Sequence, residues 1–278
     1  MARSFLFSPG DSAKKISKGP QSDADAIIID LEDAVAPNMK AEARQITVDA
    51  LRELDFGERL CLVRVNPAAS GLIWDDLSAL FAEEIGIDGI VLPKVEFAKD
   101  VESVVAWLAK NGRELPIYAL IESAMGVINV AQIAASSDWL HGLMLGGEDL
   151  VASLEARATA ERGELLYARG AVVTAAAAYG LQAIDTVYLN FRDDDGLRHD
   201  CATAAQLGFS GKLAIHPRQV AVMNEAFLPS DAEIEWATEL LEAFDHRLAD
   251  SAGVFAFRGE MIDEAIVKRA RRIQEQAR

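Results

Sequence analysis

Several features that define other protein classes are missing from this sequence. It has only two cysteines in 278 residues, which is too few for a framework of disulfide bonds. It has no run of about 18 apolar residues, and its first residues, MARSFLFSPG, contain no long apolar stretch. These absences argue against a membrane span and a secretory signal, so we expect a soluble, cytoplasmic protein.

Basic residues are also scarce. The chain has 27 Lys and Arg against 44 Asp and Glu, which gives a formal net charge of −17. Such a balance argues against a protein that binds nucleic acids non-specifically. Apolar residues make up 51% of the chain and charged residues 26%, and no low-complexity segment is present. This composition predicts a folded protein with a large core.

No predicted strand leads into the G-x-G-x-x-G motif of a Rossmann fold, which is the main alternative among α/β folds. Eight short apolar runs occur instead, each followed by Gly, Pro or charged residues. They are SFLFSP at 4–9, AIIIDLED at 26–33, LCLVRVN at 60–66, GIVLPKV at 89–95, PIYALIE at 116–122, LHGLMLGGED at 140–149, AIDTVYLN at 183–190 and KLAIHP at 212–217. Continuous apolar runs are typical of parallel strands covered on both faces. With helical segments such as 41–54, 74–84, 98–110, 127–136 and 161–179 between them, they predict a TIM barrel.

The chain continues well beyond the eighth predicted strand. A helix over 231–248 is predicted to begin at Ser230, with Glu233 completing a capping box. A Gly-containing linker, DSAGVFAFRGEMID, then leads into a final helix over 262–277. We therefore predict a barrel domain over 1–249 and a C-terminal helical extension over 250–278.

Polar residues gather at the carboxyl ends of the predicted strands. They are Pro9, Gly10, Asp11, Glu32, Asp33, Arg64, Asn66, Lys94, Glu122, Glu148, Asp149, Asp185, Asn190 and His216. In a TIM barrel these ends meet at one mouth, where the chemistry of barrel enzymes takes place. Several carboxylates in one place repel each other unless a cation lies among them. Oxygen ligands without Cys or paired His favour Mg²⁺ or Mn²⁺ over Zn²⁺.

The same residues also have purely structural interpretations. Asp33 and Asp149 can each cap the helix that follows. Arg64 can neutralise nearby acid, and Lys94 can be a solvated charge. The residues alone leave both interpretations open, although the coincidence of carboxylates and an arginine on separate strands favours an enzyme that uses a metal ion.

A series of motifs in order along the chain resembles a known family. The motifs are RSFLFSPG, IIIDLEDAV, KAEAR, LVRVN, IVLPKVE, ALIESAMGVIN, LGGEDL, ELLYAR, AIDTVYLNFRDDDGL, LGFSGKLAIHPRQV and FRGEMID. Together they resemble the citrate lyase β-subunit-like branch of the HpcH/HpaI aldolase family, which also contains malyl-CoA and citramalyl-CoA lyases. The resemblance implies a TIM barrel that assembles as trimers or hexamers and holds Mg²⁺ at its mouth.

The resemblance also implies roles for particular residues. Glu122 and Asp149 match the metal ligands, and Glu32 and Asp33 match carboxylates that hold metal-bound waters. Arg64 matches the substrate-binding arginine. Asp263 of the C-terminal extension matches the catalytic acid, which we expect to act in a neighbouring subunit on which the extension packs.

The implied reaction cleaves a 3-hydroxyacyl-CoA thioester, such as citramalyl-CoA or malyl-CoA, into an α-keto acid and acetyl-CoA, or forms the thioester from these two compounds. We expect the CoA nucleotide to lie near Lys14, Lys15 and Lys18 of the first loop, with Pro9 also in contact with substrate. The alternative is a citrate lyase β subunit that acts on an acyl-carrier protein. His216 in IHPRQ, where true β subunits often have Asn, points towards the CoA-using relatives. A non-thioester pyruvate aldolase and an inactive homologue are further alternatives.

Overall fold

Eight parallel strands close into a barrel in the computed structural model, which describes residues 1–82, 85–159, 161–248 and 255–277. Neighbouring strands follow the order of the chain, and the eighth strand pairs with the first. The strands are β1 (Ser4–Pro9), β2 (Ala26–Asp30), β3 (Leu60–Arg64), β4 (Gly89–Leu92), β5 (Ile117–Ile121), β6 (Leu140–Leu145), β7 (Gln182–Asp185) and β8 (Gly211–Ala214). Each strand lies within or close to one of the eight predicted runs, so the TIM-barrel prediction is confirmed.

Helices connect the strands. They are α1 (Ala13–Ile16), α2 (Lys40–Glu53), α3 (Leu72–Phe81), α4 (Ala98–Lys110), α5 (Ala124–Ile128), α6 (Val130–Ala134), α7 (Gly147–Ser153), α8 (Leu166–Tyr179), α9 (Asp194–Leu207) and α10 (Arg218–Ala226). Short 3₁₀ segments cover Gly19–Gln21, Pro37–Met39, Ala68–Ser70 and Gly163–Leu165. Within the described ranges, no helix has the length and apolarity needed to cross a membrane.

Two predicted helices differ from the observed ones. The segment 127–136 belongs to two short helices, α5 and α6, that meet at Asn129. The segment 161–179 becomes α-helical only at Leu166, because a 3₁₀ turn precedes it. Its predicted end is confirmed, since Gly180 ends α8 in the left-handed conformation with φ 69°. Residues 83–84, predicted to end a helix, lie outside the described residues.

Apolar side chains fill the interior of the barrel. The buried cluster consists of Phe5, Ala26, Ile28, Leu62, Val91, Tyr118, Leu120, Met144, Ile184 and Leu213. The rings of Phe5 and Tyr118 meet edge to face, with centroids 6.2 Å apart. Gly142 makes room for the Tyr118 ring, because a Cβ at this position would lie 2.7 Å from its Cδ1 atom. The interior is therefore a packed core, which leaves the carboxyl ends of the strands as the place for a site.

The residues after the barrel form a second compact unit, which covers Glu225–Arg278 together with Met1. Its elements are α11 (Asp231–Leu248), an antiparallel hairpin of β9 (Phe255–Phe257) and β10 (Glu260–Ile262), and α12 (Glu264–Gln276). The boundary between these units, at 224/225, lies before the predicted division near 250. The reason is that α11 shares a core with the hairpin and α12, through residues such as Leu240, Phe255 and Ile273.

Candidate functional site

The carboxyl ends of the barrel strands surround a cavity of about 420 Å³. Its lining includes five of the residues predicted to have a function: Pro9, Asp33, Arg64, Glu122 and Asp149. The core side chains Leu120 and Leu213 also line it. The parallel strands therefore bring these polar residues to one cavity with an apolar base, as the barrel topology predicts.

Arg64 at the end of β3 is held by Asp30 at the end of the neighbouring β2. Its Nε and Nη2 atoms donate hydrogen bonds of 2.7 and 2.6 Å to the two carboxylate oxygens of Asp30. The ring of Phe7 covers the guanidinium, with Cζ 4.7 Å from the ring centroid. Burial opposes the charge of Arg64, but the hydrogen bonds and charge of Asp30 raise its pKa. Asp30 thus fixes a permanently charged guanidinium at the cavity.

The third nitrogen of Arg64 faces the DLED loop. Its Nη1 atom lies 3.3 Å from Glu32 Oε2 and 3.7 Å from Asp33 Oδ2. Asp30 shapes this loop by accepting hydrogen bonds from the backbone N–H groups of Glu32 and Ala34. Burial raises the pKa of Glu32. Burial also opposes ionisation of Asp33, but its hydrogen bond with Glu32 and the charge of Arg64 lower its pKa.

Lys94 follows β4 and contacts the same carboxylates. Its Nζ atom lies 2.5 Å from Glu32 Oε1 and 3.4 Å from Asp33 Oδ1. Its backbone N–H donates a 2.8 Å hydrogen bond to Glu122 Oε1. Burial opposes its charge, but Glu32 and Asp33 raise its pKa. Lys94 is exposed, as its interpretation as a solvated charge requires, but its ammonium also forms ion pairs beside the mouth.

Glu122 and Asp149 are the pair predicted to bind metal. Glu122 directly follows β5 and is only 3% exposed, whereas Asp149 lies in the first turn of α7. Burial, followed by the negative charge of Asp149, raises the pKa of Glu122 to about 8. A buried carboxylate whose ionised form is destabilised by a second carboxylate matches what a divalent cation such as Mg²⁺ would stabilise.

The two glycines of the GGED loop allow Asp149 to approach Glu122. A Cβ at Gly146 would lie 2.5 Å from the Cβ of Glu122, and one at Gly147 would lie 2.7 Å from Thr186 Oγ1. Thr186 Oγ1 also accepts a 2.8 Å hydrogen bond from the Gly147 N–H. Only residues without side chains fit here, which explains the double glycine before the two carboxylates.

Glu148, next to Asp149, has a different partner. Its Oε1 atom lies 2.7 Å from Nη2 of Arg162. In the described part of the chain, no group of three or more His, Cys, Asp or Glu residues is arranged to hold a metal ion. A metal site with Glu122 and Asp149 as protein ligands and water or substrate oxygens in the other positions therefore stays a prediction.

The structure also corrects the placement of Asp185. The side chain at the end of β7 does not line the mouth cavity and belongs to a buried charged cluster. Lys212 Nζ lies 2.6 Å from Asp185 Oδ2 and 2.6 Å from Asp200 Oδ2, and Arg169 donates to both carboxylates. The next residue, Thr186, lines the mouth. Neighbouring residues of a strand point to opposite faces, so only one of this pair can reach the cavity.

The predicted nucleotide-binding lysines are exposed and do not line the mouth cavity. Lys14 and Lys15 lie on α1, and Lys18 follows it. Lys14 lines a separate cavity between α1 and α2, together with Asp49 and Glu53. Their contact with a nucleotide stays a prediction.

Asp263 in the second unit caps the helix that follows it. Its Oδ1 atom accepts a 3.1 Å hydrogen bond from the backbone N–H of Ile266 at the start of α12. This contact gives Asp263 a structural role at the start of the helix, and its side chain is exposed. Its predicted role as an acid in catalysis stays a prediction.

Three functional contacts were not predicted from the sequence: those of Lys94, Thr186 and Arg162. Thr186 directly follows the strand-end residue Asp185, and the two differ only in the face of the sheet to which each side chain points. Arg162 lies in a left-handed conformation before a 3₁₀ turn, with φ 52°. No local pattern signals its ion pair with Glu148, because the two residues come together only in the folded chain.

Comparison with known proteins gives a consistent set of matches. Residues 3–217 match the family model described as HpcH/HpaI aldolase/citrate lyase. The mitochondrial citramalyl-CoA lyase of Homo sapiens is 38% identical over 96% of this chain and 83% of that protein. The citrate lyase subunit beta of Leuconostoc mesenteroides subsp. cremoris is 35% identical over 100% of this chain and 93% of that protein.

A solved structure resembles the whole fold. The protein CitE of Mycobacterium tuberculosis, in complex with magnesium, acetoacetate and coenzyme A, superposes with a TM-score of 0.84. The two sequences are 32% identical, and the match covers 99% of this chain and 98% of that one. These matches confirm the resemblance inferred from the sequence motifs.

Proposed function

Because the chain belongs to the HpcH/HpaI aldolase/citrate lyase family, we propose that it is a magnesium-dependent carbon–carbon lyase. It cleaves a 3-hydroxyacyl-CoA thioester, such as citramalyl-CoA or malyl-CoA, into an α-keto acid and acetyl-CoA, or it forms the thioester from these two compounds. The observation that carries this proposal is the buried pair of Glu122 and Asp149 beside the anchored Arg64 at one mouth.

Glu122 and Asp149 would hold the metal ion, with Mn²⁺ as an alternative to Mg²⁺. When bound, the ion would acidify the substrate hydroxyl and balance the charge of the keto acid. Glu32 and Asp33 would orient water molecules around the ion. Arg64 and Lys94 form ion pairs with these carboxylates and partly neutralise their negative charge.

Arg64 would stabilise the oxygen of the acetyl-thioester enolate. Breaking the carbon–carbon bond leaves the electron pair on the thioester fragment, where negative charge develops on the carbonyl oxygen. A guanidinium fixed in advance by Asp30 stabilises that charge without having to reorganise. Its Nη1 atom is not bound by Asp30 and faces Glu32 and Asp33 at 3.3 and 3.7 Å, so this nitrogen would make the contact.

Asp263 would deliver a proton to the carbon of the enolate and complete the cleavage. We propose that it acts in the site of a neighbouring copy, within a homotrimer or hexamer. Its exposure and its position after the hairpin of the second unit support this proposal. The first-loop residues Lys14 and Lys18, together with Pro9, would contact the CoA ester, and the cytoplasm is the proposed location.

A panel of 3-hydroxyacyl-CoA esters tests the proposed function. Purified protein with Mg²⁺ is incubated with each ester, and mass spectrometry detects acetyl-CoA together with the matching α-keto acid. We expect both products from at least one dicarboxylic ester. The absence of paired products from every ester, with Mg²⁺ and with Mn²⁺, would refute the assignment.

A second candidate function is that of a citrate lyase β subunit acting on an acyl-carrier protein. The 35% identity to the Leuconostoc subunit across this entire chain favours it. The same assay separates the two functions when citryl groups are presented on a carrier protein as well as on CoA. Cleavage only of the carrier-bound group would select the second function.

A further inference from the structure

Lys94 has a backbone conformation that lysine adopts reluctantly. Its φ is 54°, in the left-handed region, where the Cβ of an L-residue crowds the backbone. It lies two residues after β4, between the strand and α4. Backbone strain of this kind persists only where the surrounding structure imposes it, and it concentrates at functional sites.

Lys94 contacts carboxylates through both its backbone and its side chain. The backbone N–H donates 2.8 Å to Oε1 of Glu122, which directly follows the next strand, β5. The side chain runs the other way, to Oε1 of Glu32 at 2.5 Å and Oδ1 of Asp33 at 3.4 Å. One residue thus connects the carboxylate proposed to bind metal with the two carboxylates of the DLED loop.

The ion pairs of Lys94 do not by themselves require a left-handed backbone. An ammonium on a flexible stem reaches a carboxylate from many backbone conformations. The φ and ψ angles of Lys94 instead set the direction of its N–H relative to the next N–H, that of Val95, which donates 3.3 Å to the carbonyl of Leu120 on β5. The left-handed conformation therefore allows these two consecutive N–H groups to reach Glu122 and Leu120 together.

We propose that Lys94 is a positioning residue for Glu122. Its left-handed backbone aims the N–H at Glu122 Oε1, and its ion pairs with Glu32 and Asp33 hold the strained conformation in place. The hydrogen bond orients the carboxylate so that its other oxygen, Oε2, stays beside Gly146 of the GGED loop. This inference rests on the proposed role of Glu122 as a metal ligand.

The test compares variants that separate the backbone from the ammonium. Lys94→Gly and Lys94→Ala both remove the ammonium, but only glycine adopts the left-handed conformation without strain. Lys94→Asn is a second variant that tolerates this conformation. Arg258→Val is the matched control, because Arg258 also has a left-handed backbone, with φ 48°, but belongs to the second unit.

Mg²⁺ binding is measured by titration calorimetry, and thermal unfolding is followed in chelator. We expect Lys94→Gly and Lys94→Asn to bind Mg²⁺ more tightly than Lys94→Ala, because both variants keep the left-handed conformation. Lys94→Ala should bind on the order of tenfold more weakly, because the strain is no longer offset by an ion pair and the Glu122 contact is lost. Arg258→Val should lose stability but keep its Mg²⁺ affinity.

Two results would overturn the inference: equal Mg²⁺ affinity of the alanine and native proteins, or equally weakened binding by the glycine and alanine variants. The second result would mean that the ammonium alone matters. Glu122→Gln is titrated in the same series. If the native protein binds no Mg²⁺, or if Glu122→Gln binds it as tightly as the native protein, the proposed ligand set fails. A failure confined to the Lys94 variants would leave that set intact.

Discussion

Replacing Glu122 by glutamine should stabilise the metal-free protein. The folded protein holds the proton of Glu122 more tightly than the unfolded chain does, since its pKa rises from 4.5 to about 8. Stability is therefore lost as the pH rises from 4.5 towards 8, at about 1.4 kcal/mol per pH unit. At pH 7 the loss is about 3 kcal/mol. Glutamine avoids it and still offers an oxygen to the Lys94 N–H.

The free energy of unfolding is measured in urea at several pH values between 4.5 and 8, with a chelator present. We expect Glu122→Gln to exceed the native protein by about 3 kcal/mol at pH 7, and the difference to shrink towards pH 4.5. A thousandfold excess of Mg²⁺ over Kd should reverse the order, because it stabilises only the protein that binds it, by about 4.1 kcal/mol.

Glu102→Gln serves as the control, since it makes the same chemical change at an exposed position on α4. If the difference between native and Glu122→Gln stayed constant from pH 4.5 to 8 in chelator, desolvation of this carboxylate would not be the cause. If Mg²⁺ stabilised both proteins equally, Glu122 would not be a ligand.

Three further predictions concern the other residues of the proposed mechanism. Arg64→Lys should lose most of its turnover, because an ammonium cannot hold Asp30 through two nitrogens and also face the substrate; a near-native kcat/KM would contradict this. Replacing Lys14 and Lys18 together by alanine should raise KM for the CoA ester at low salt, with the effect fading as salt increases, and an unchanged KM at low salt would make them ordinary surface charges. Asp263→Asn should keep Mg²⁺ binding but lose turnover. Mixed oligomers of this variant with Glu122→Gln should regain part of the activity, and verified mixed oligomers without activity would exclude a shared site.

The sequence was most informative where strand topology alone places a residue. Each of the eight apolar runs became a barrel strand, and parallel strands direct all their carboxyl ends to one side. Pro9, Arg64, Glu122 and Asp149 therefore reach one cavity, whatever the details of the loops. The capping box at Ser230 was also predictable, because it depends on residues three positions apart, and Ser230 N donates 2.9 Å to Glu233 Oε2.

The sequence was least informative about which face of a strand a residue points to and about how distant segments pack together. β7 is apolar on both faces, so no alternation shows that Asp185 turns towards Lys212 while Thr186 turns towards the cavity. The sequence also did not show that α11 packs with the elements after it, because a helix does not reveal in its own sequence which core will bury it.

The amino-acid sequence by itself determined the barrel, the family and the set of carboxylates at its mouth, because these follow from local periodicity and from motifs in order along the chain. Only the tertiary structure showed that Asp30 anchors Arg64 and that Arg162 forms an ion pair with Glu148. It also showed that Lys94 contacts both Glu122 and Glu32. Each of these contacts joins residues from different loops or strands. Their geometry depends on backbone directions and burial that arise only when the barrel closes.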